Sequence, residues 1–225
     1  MALNVVLSWS GGKDSALALA ALAATPGVEV VGLLTSVTRG FDRVSIHGVR
    51  RTLLYAQAEA LHLTLTEIVL DAECTNVAYE AAFLAGVEAA RERHPDLGAI
   101  AFGDLFLADV RAYRERLLAG TGLEPIFPLW GESTVALAER CCATGIDARL
   151  VCVDTTQLAP EFVGRRFDRQ LLAEFPASVD PCGERGEFHT FVADGPRFSR
   201  PIRYAIGEVV RRGDRFVYCD LLPES

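Results

Sequence analysis

Apolar positions in the first half of the chain fall into short runs separated by longer segments with helical periodicity. Asn4 to Trp9 reads as a buried strand, followed by a polar glycine loop and an Ala/Leu-rich stretch of high helix propensity that stops at Thr25-Pro26-Gly27. That order predicts strand, loop, helix. Further β-rich runs occupy Glu29 to Val37, Leu63 to Leu70, Gly98 to Phe102 and Leu123 to Phe127. Helices are predicted between them, over Val49 to Leu61, Asn76 to Arg93 and Asp109 to Ala119. Strands that alternate with crossover helices and are apolar on both faces belong to an α/β fold, a doubly wound parallel sheet covered on two sides. Ligands of such sheets bind beyond the carboxyl ends of the strands, where the strand order reverses.

The pattern changes after Pro128-Leu129-Trp130-Gly131. A helix from Ser133 to Ala143, a strand from Ala148 to Val153 and an amphipathic helix from Phe162 to Phe175 predict a smaller C-terminal α/β domain. From Phe188 onward, turn signals at Asp194-Gly195-Pro196 and Gly213-Asp214 separate β-rich runs and predict antiparallel strands. The expected division is therefore 1–130 and 131–225.

Composition narrows the function. A chain of 225 residues, half of them apolar, can bury a core of its own, and a formal charge of -8 removes the long-range attraction that nucleic-acid binders use. The six cysteines are scattered without a CxxC pair, which signals neither a zinc site nor a disulfide framework and suits a reducing cytoplasm. The apolar run Ala16 to Ala24 imitates a signal peptide, but Lys13 and Asp14 stand directly before it. No later stretch approaches the ~20 apolar residues that a bilayer requires. The expectation is a soluble, cytoplasmic protein with no membrane partner.

Ser10-Gly11-Gly12-Lys13-Asp14-Ser15 carries the chemistry. Glycines let backbone N–H groups approach a polyphosphate, the following helix N-terminus adds partial positive charge, and Lys13 adds a full one. It is not a Walker A loop, because Leu7 stands where a glycine is needed and Lys13 is followed by Asp14. The bland alternative is a glycine turn capping an ordinary helix. The segment instead resembles the SGGxDS signature of the PP-loop ATP pyrophosphatase superfamily, with its HUP-like fold. Phe102-Gly103-Asp104, Gly122-Leu123-Glu124-Pro125, Pro128-Leu129-Trp130-Gly131 and Cys182-Gly183-Glu184-Arg185-Gly186-Glu187-Phe188 are similar to the diphthine ammonia ligase group. Ile46-His47-Gly48-Val49-Arg50 and Glu187-Phe188-His189-Thr190 resemble a bacterial-type branch of it. Bacteria lack the diphthamide target, so in a bacterial chain the ATP chemistry would transfer and the named substrate would not.

The resemblance implies an AMP-forming carboxylate–ammonia ligase. A carboxylate, on an elongation factor 2-like protein or an unidentified small molecule, would be adenylated by ATP with Mg²⁺ and then amidated by ammonia, releasing AMP and pyrophosphate. Ser8, Ser10, Gly11, Gly12, Lys13, Asp14, Ser15, Gly103 and Asp104 are the implied ATP-binding residues, and Asp14 and Asp104 the implied Mg²⁺ ligands. Lys13, Asp14, Glu184 and Glu187 are the implied catalytic residues, the two glutamates handling ammonia. His47, Arg50 and His189 are the implied acyl-substrate residues. Each has a plainer reading: Asp104 as a helix N-cap, the glutamates as a solvated acidic turn, the histidines as ordinary loop and strand positions. A homodimer is one candidate assembly, and the sequence leaves the oligomeric state open. Two rivals stand beside this reading: a transfer-RNA thiolase using Cys182 with Cys74, and a nucleotide-binding sensor without turnover.

Overall fold

The computed structural model describes residues 2–40, 43–44 and 48–224. The N-terminal elements are β1 (Leu3–Ser8), α1 (Lys13–Ala23), β2 (Val28–Thr38), β3 (Arg43–Val44), α2 (Arg51–Ala60), β4 (Thr64–Leu70), α3 (Asn76–Arg93), β5 (Leu97–Ala101), α4 (Ala108–Leu118) and β6 (Glu124–Ile126). Then follow α5 (Thr134–Ala143), β7 (Asp147–Asp154), α6 (Arg169–Glu174), β8 (Phe188–Asp194), β9 (Tyr204–Arg212) and β10 (Phe216–Pro223).

Alternation along β1 sets the layering. Val5 and Leu7 join one apolar cluster with α1 and α2, while Val6 joins another with Phe83 and Val87 of α3 and Leu117 and Leu118 of α4. Both faces of the sheet are therefore covered. β1 pairs in parallel with β2 on one side and with β5 on the other, β4 lies outside β2, and β6 lies outside β5. The strand order reverses at β1, so the loops after β1 and β5 share the switch point, as expected for a doubly wound sheet. Among the described residues of this sheet only the two-residue β3 is antiparallel, pairing with the end of β2.

The second sheet runs β8-β7-β10-β9 and is antiparallel throughout. The predicted helix from Phe162 to Phe175 shrinks to α6, from Arg169 to Glu174, capped by Asp168 accepting from the Leu171 N–H at 2.8 Å. Gly164 adopts φ +79°. The chain there exchanges backbone hydrogen bonds with Leu150 of β7, through the Gly164 and Leu150 amides, and these compete successfully with helix formation.

The two sheets share a core, because the cluster that includes α1 also contains Leu150, Val151 and Val153 of β7 and Phe191 and Val192 of β8. Polar groups fix the register of this contact. Gln57, fully buried in α2, accepts from Trp9 Nε1 at 2.8 Å and donates from Nε2 to the carbonyls of Gly11 at 3.0 Å and Val192 at 2.6 Å. The Val192 amide donates to the same Gly11 carbonyl at 2.9 Å. Among the described residues no helix is long and apolar enough to cross a membrane. Gln57→Leu leaves buried polar groups without partners and is expected to destabilise the fold by about 2–4 kcal/mol in urea unfolding. A change below about 0.5 kcal/mol would contradict the role of this clamp.

Candidate active site

The PP-loop lies between β1 and α1, pressed between α2 and β8. Gly11 has φ +79°, and a Cβ there would stand 2.8 Å from Leu54 Cδ2 and 2.9 Å from Gln57 Oε1. At Gly12 a Cβ would come within 3.0 Å of the Thr190 carbonyl oxygen. Both glycines are required by close approach, the first also by its backbone conformation. Gly12 is the N-cap of α1 and supplies no side-chain acceptor. In its place Thr190 Oγ1, from β8, accepts the Lys13 N–H at 3.0 Å. Ser10 Oγ accepts the Gly12 N–H at 3.3 Å and lies 3.2 Å from Ser15 Oγ, which donates to the Gly12 carbonyl at 2.9 Å.

A cleft of about 410 Å³ opens over this loop, lined by Ser8, Ser10, Gly12, Lys13, Asp14, Ser15, Gly103, Asp104, Arg114, Glu184 and His189 among others. Gly103 lets the loop after β5 approach α1, since a Cβ there would meet the Asp14 and Ser15 backbone at 3.4 Å. A second cavity of about 500 Å³ lies beyond the ends of β1, β2 and β4 and shares Ser8, Ser10 and Arg114 with the first. Thr35, 2% exposed, lines it with a buried Oγ1 that has no hydrogen-bond partner.

Charge in the cleft is concentrated. Lys13 is 1% exposed, and its Nζ donates to both Asp14 oxygens at 2.8 Å and to the Cys182 carbonyl. It also lies 5.4 Å from the ring centroids of Phe167 and Phe188. Burial works against this ammonium, but the neighbouring Asp14 carboxylate outweighs it and holds the pKa above the ordinary lysine value. Burial pushes the Glu184 carboxyl up to about 7, with the nearby Asp14 and Asp104 charges adding to the rise and the Leu105 N–H, bonded to it at 2.8 Å, opposing. Burial also raises Asp104 above the usual carboxylate range against the pull of Arg114. Burial first, and then the Lys13 charge, push His189 down to about 4, so its imidazole is neutral at pH 7.

Two implied residues, Glu187 and Arg50, stand outside the cleft. Glu187 is 1% exposed and does not line the cleft; its Oε1 accepts from the Asp180 N–H at 2.9 Å and its Oε2 from the Arg185 N–H at 3.0 Å. It shapes the glycine-flanked loop that presents Glu184, whereas the resemblance implies that both glutamates handle ammonia. Arg50 pairs with Asp220 of β10 at 2.6 Å in a separate pocket, where Arg43 reaches the same carboxylate at 2.8 Å. That pocket does not include the PP-loop residues. His47 lies outside the described residues. Burial pushes the Cys182 thiol up to about 12, despite Lys13, and its Sγ donates to the Thr134 carbonyl at 3.3 Å, an inert setting for a sulfur carrier.

Gln57, Arg114, Thr190 and Thr35 escaped the sequence reading. Gln57 had a signal, since it falls three and four residues after Leu54 and Leu53 on the apolar face of α2. Arg114 had none, being one of several arginines on a polar helix.

Comparison with known proteins places the chain in a family. The model of the diphthamide synthase N-terminal domain matches residues 3–125 and that of the diphthamide synthase C-terminal domain residues 133–218. The chain belongs to the diphthamide synthase family. Relatives in the family include the diphthine–ammonia ligase of Schizosaccharomyces pombe, 30% identical over 121 residues, which are 52% of this chain and 20% of that protein. The diphthine–ammonia ligase of Danio rerio is 31% identical over 114 residues, 48% of this chain and 45% of that protein. The matched segments thus span less than half of either relative.

Titration of Glu184 gives a direct check. The folded protein keeps this proton up to about pH 7, whereas an ordinary glutamate releases it near 4.5, so between these values Glu184 makes stability fall as pH rises. His189, lowered from 6.5 to about 4, has the opposite effect in its own window, where the unfolded chain binds more protons. Relative to wild type, Glu184→Gln should therefore gain stability in urea unfolding at about pH 8 compared with about pH 5. An equal difference at both pH values would contradict the raised pKa.

Proposed function

We propose that this chain is an ATP-dependent ligase that adenylates a substrate carboxylate and amidates it with ammonia, releasing AMP and pyrophosphate. The observation that carries the proposal is the PP-loop at the switch point of the sheet, opening on one side to a second cavity of nucleoside size and on the other to Glu184. The name diphthine–ammonia ligase borne by the relatives supports the same chemistry. We assign nucleotide binding to 1–130 and the amidating residues to 131–225.

The residues fit ATP in donor chemistry. The α1 N-terminus, Ser10, Gly12 and Ser15 would receive the pyrophosphate moiety, with Ser8 and Gly103 lining the path to it. The orphaned Thr35 hydroxyl would find a partner on the nucleoside. Asp104 Oδ2, buried and without a hydrogen-bond partner, suits a hard cation, and Asp104 with Asp14 would hold Mg²⁺. Mg²⁺ bound there would neutralise polyphosphate charge.

Lys13 holds Asp14 in place and joins the PP-loop to the Cys182 loop, while its charge raises the local positive potential. Glu184, facing the same cleft, can bind ammonium and accept a proton as nitrogen attacks the activated carbonyl. Neutral His189 lines the wall beside it. A candidate homodimer would have a surface to use: β9 ends the strand order of the second sheet among the described residues and exposes Ile206, Val209 and Val210.

The test supplies ATP, Mg²⁺, ammonium and diphthine-bearing elongation factor 2. The expected products are AMP, pyrophosphate and an amidated factor, with Glu184→Gln slowing amide release more than adenylation. AMP formed only with a different, small carboxylate would keep the ligase and replace the substrate. No AMP with any carboxylate would overturn the proposal.

A further inference from the structure

We propose that Arg114 is the α-phosphate contact of this site, a guanidinium held in a fixed position where the two cavities meet. The inference rests on the ATP reading and adds to it a residue that neither the loop motif nor the matched family names single out.

Ser8, Ser10 and Arg114 are the side chains common to the cavity beyond β2 and the cleft over the PP-loop. A nucleotide with its nucleoside in the first and its pyrophosphate in the second must carry its first phosphate past these three. Two of them are neutral hydroxyls. Arg114 is the cation at the junction.

Its geometry is fixed before any ligand arrives. The guanidinium stacks on Phe102 with 5.1 Å to the ring centroid, and Nη1 donates to Tyr79 Oη at 2.8 Å. Nε is buried and has no hydrogen-bond partner; the nearest carboxylate oxygen, Asp104 Oδ2, is 3.8 Å away and equally without one. Opposite charges that are desolvated yet held outside hydrogen-bond distance are costly to leave so; Nε itself is enclosed, and an incoming phosphate would meet the part of the side chain that lines both cavities, where its charge offsets this unmet pairing. The other cation lining the cleft, Lys13, is already matched by Asp14 and the Cys182 carbonyl. Arg114, paired with Asp104 only at 3.8 Å and lining both cavities, is the less fully matched of the two cations.

During adenylyl transfer a carboxylate oxygen forms a bond to the α-phosphorus while the bond to the β-phosphate oxygen breaks, and pyrophosphate leaves with the electron pair. Negative charge grows on the non-bridging α-oxygens. Arg114 donates a hydrogen bond to one of them and gives up no proton, so its contribution is larger in the transition state than in the ground state.

The experiment measures binding of adenosine, AMP, pyrophosphate and α,β-methylene-ATP to the full chain by titration calorimetry, for wild type, Arg114→Gln and Arg114→Lys. Loss of one charged hydrogen bond predicts that Arg114→Gln weakens AMP and α,β-methylene-ATP about tenfold or more while adenosine and pyrophosphate stay within about twofold. Arg114→Lys, which keeps the charge and loses the planar fork, should fall between. Unchanged AMP affinity in Arg114→Gln would overturn the assignment alone, as would equal weakening of adenosine, which marks a structural role. Wild type that binds none of the four would overturn the ATP reading itself and the assignment with it.

Discussion

Gln57 uses its whole carboxamide to join three parts of the chain: the strand end at Trp9, the PP-loop at Gly11 and the second sheet at Val192. Most of what makes the cleft specific depends on that junction. The Gly11 carbonyl, tied to both Gln57 and the Val192 amide, cannot turn, and so the amides that follow it are presented in one arrangement. The glycines at 11 and 12 make room for this close approach, and Thr190 completes it by capping the helix that the loop begins. A buried polar hub of this kind contributes direction more than net stability, because its neutral alternatives cost little and its half-made versions cost much.

The same docking concentrates charge. A loop of the second unit brings Glu184 opposite Asp14 and Asp104, and the single buried ammonium of Lys13 stands against Asp14. Glu184 retains its proton into the neutral range because it is desolvated beside two other carboxyls. An anionic polyphosphate entering such a cleft needs counter-charge beyond what Lys13 offers. In the proposed binding mode the α1 N-terminus and the guanidinium of Arg114, which both line the cleft, would supply part of it.

Much of this was legible in the order of residues. The parallel strands were marked by apolar runs on both faces, and the loop by a motif whose glycines and serines have each a local geometric reason. The short helix α6 was not, because Gly164 and backbone pairing to β7 override an amphipathic pattern that looked continuous from Phe162. The two glutamates of one loop read alike in sequence, yet the fold turns Glu187 inward to hold backbone amides and leaves Glu184 in the cleft. Arg50 was legible as a charge near a loop but not as the partner of Asp220, which is 170 residues away. Arg114 needed the tertiary structure entirely, since only the meeting of α4 with the ends of β1 and β5 distinguishes it from its neighbours on the helix.

The central claim is that this clamped loop is a nucleotide site with a defined direction: phosphates at the α1 N-terminus and nucleoside over the end of β2. A crystal structure of the full chain with Mg²⁺ and α,β-methylene-ATP tests it most directly. The account predicts the terminal phosphates against Gly12 and Ser15, with the nucleoside beside Thr35. A nucleotide bound in the reverse direction, or outside the joined cavities altogether, would contradict it.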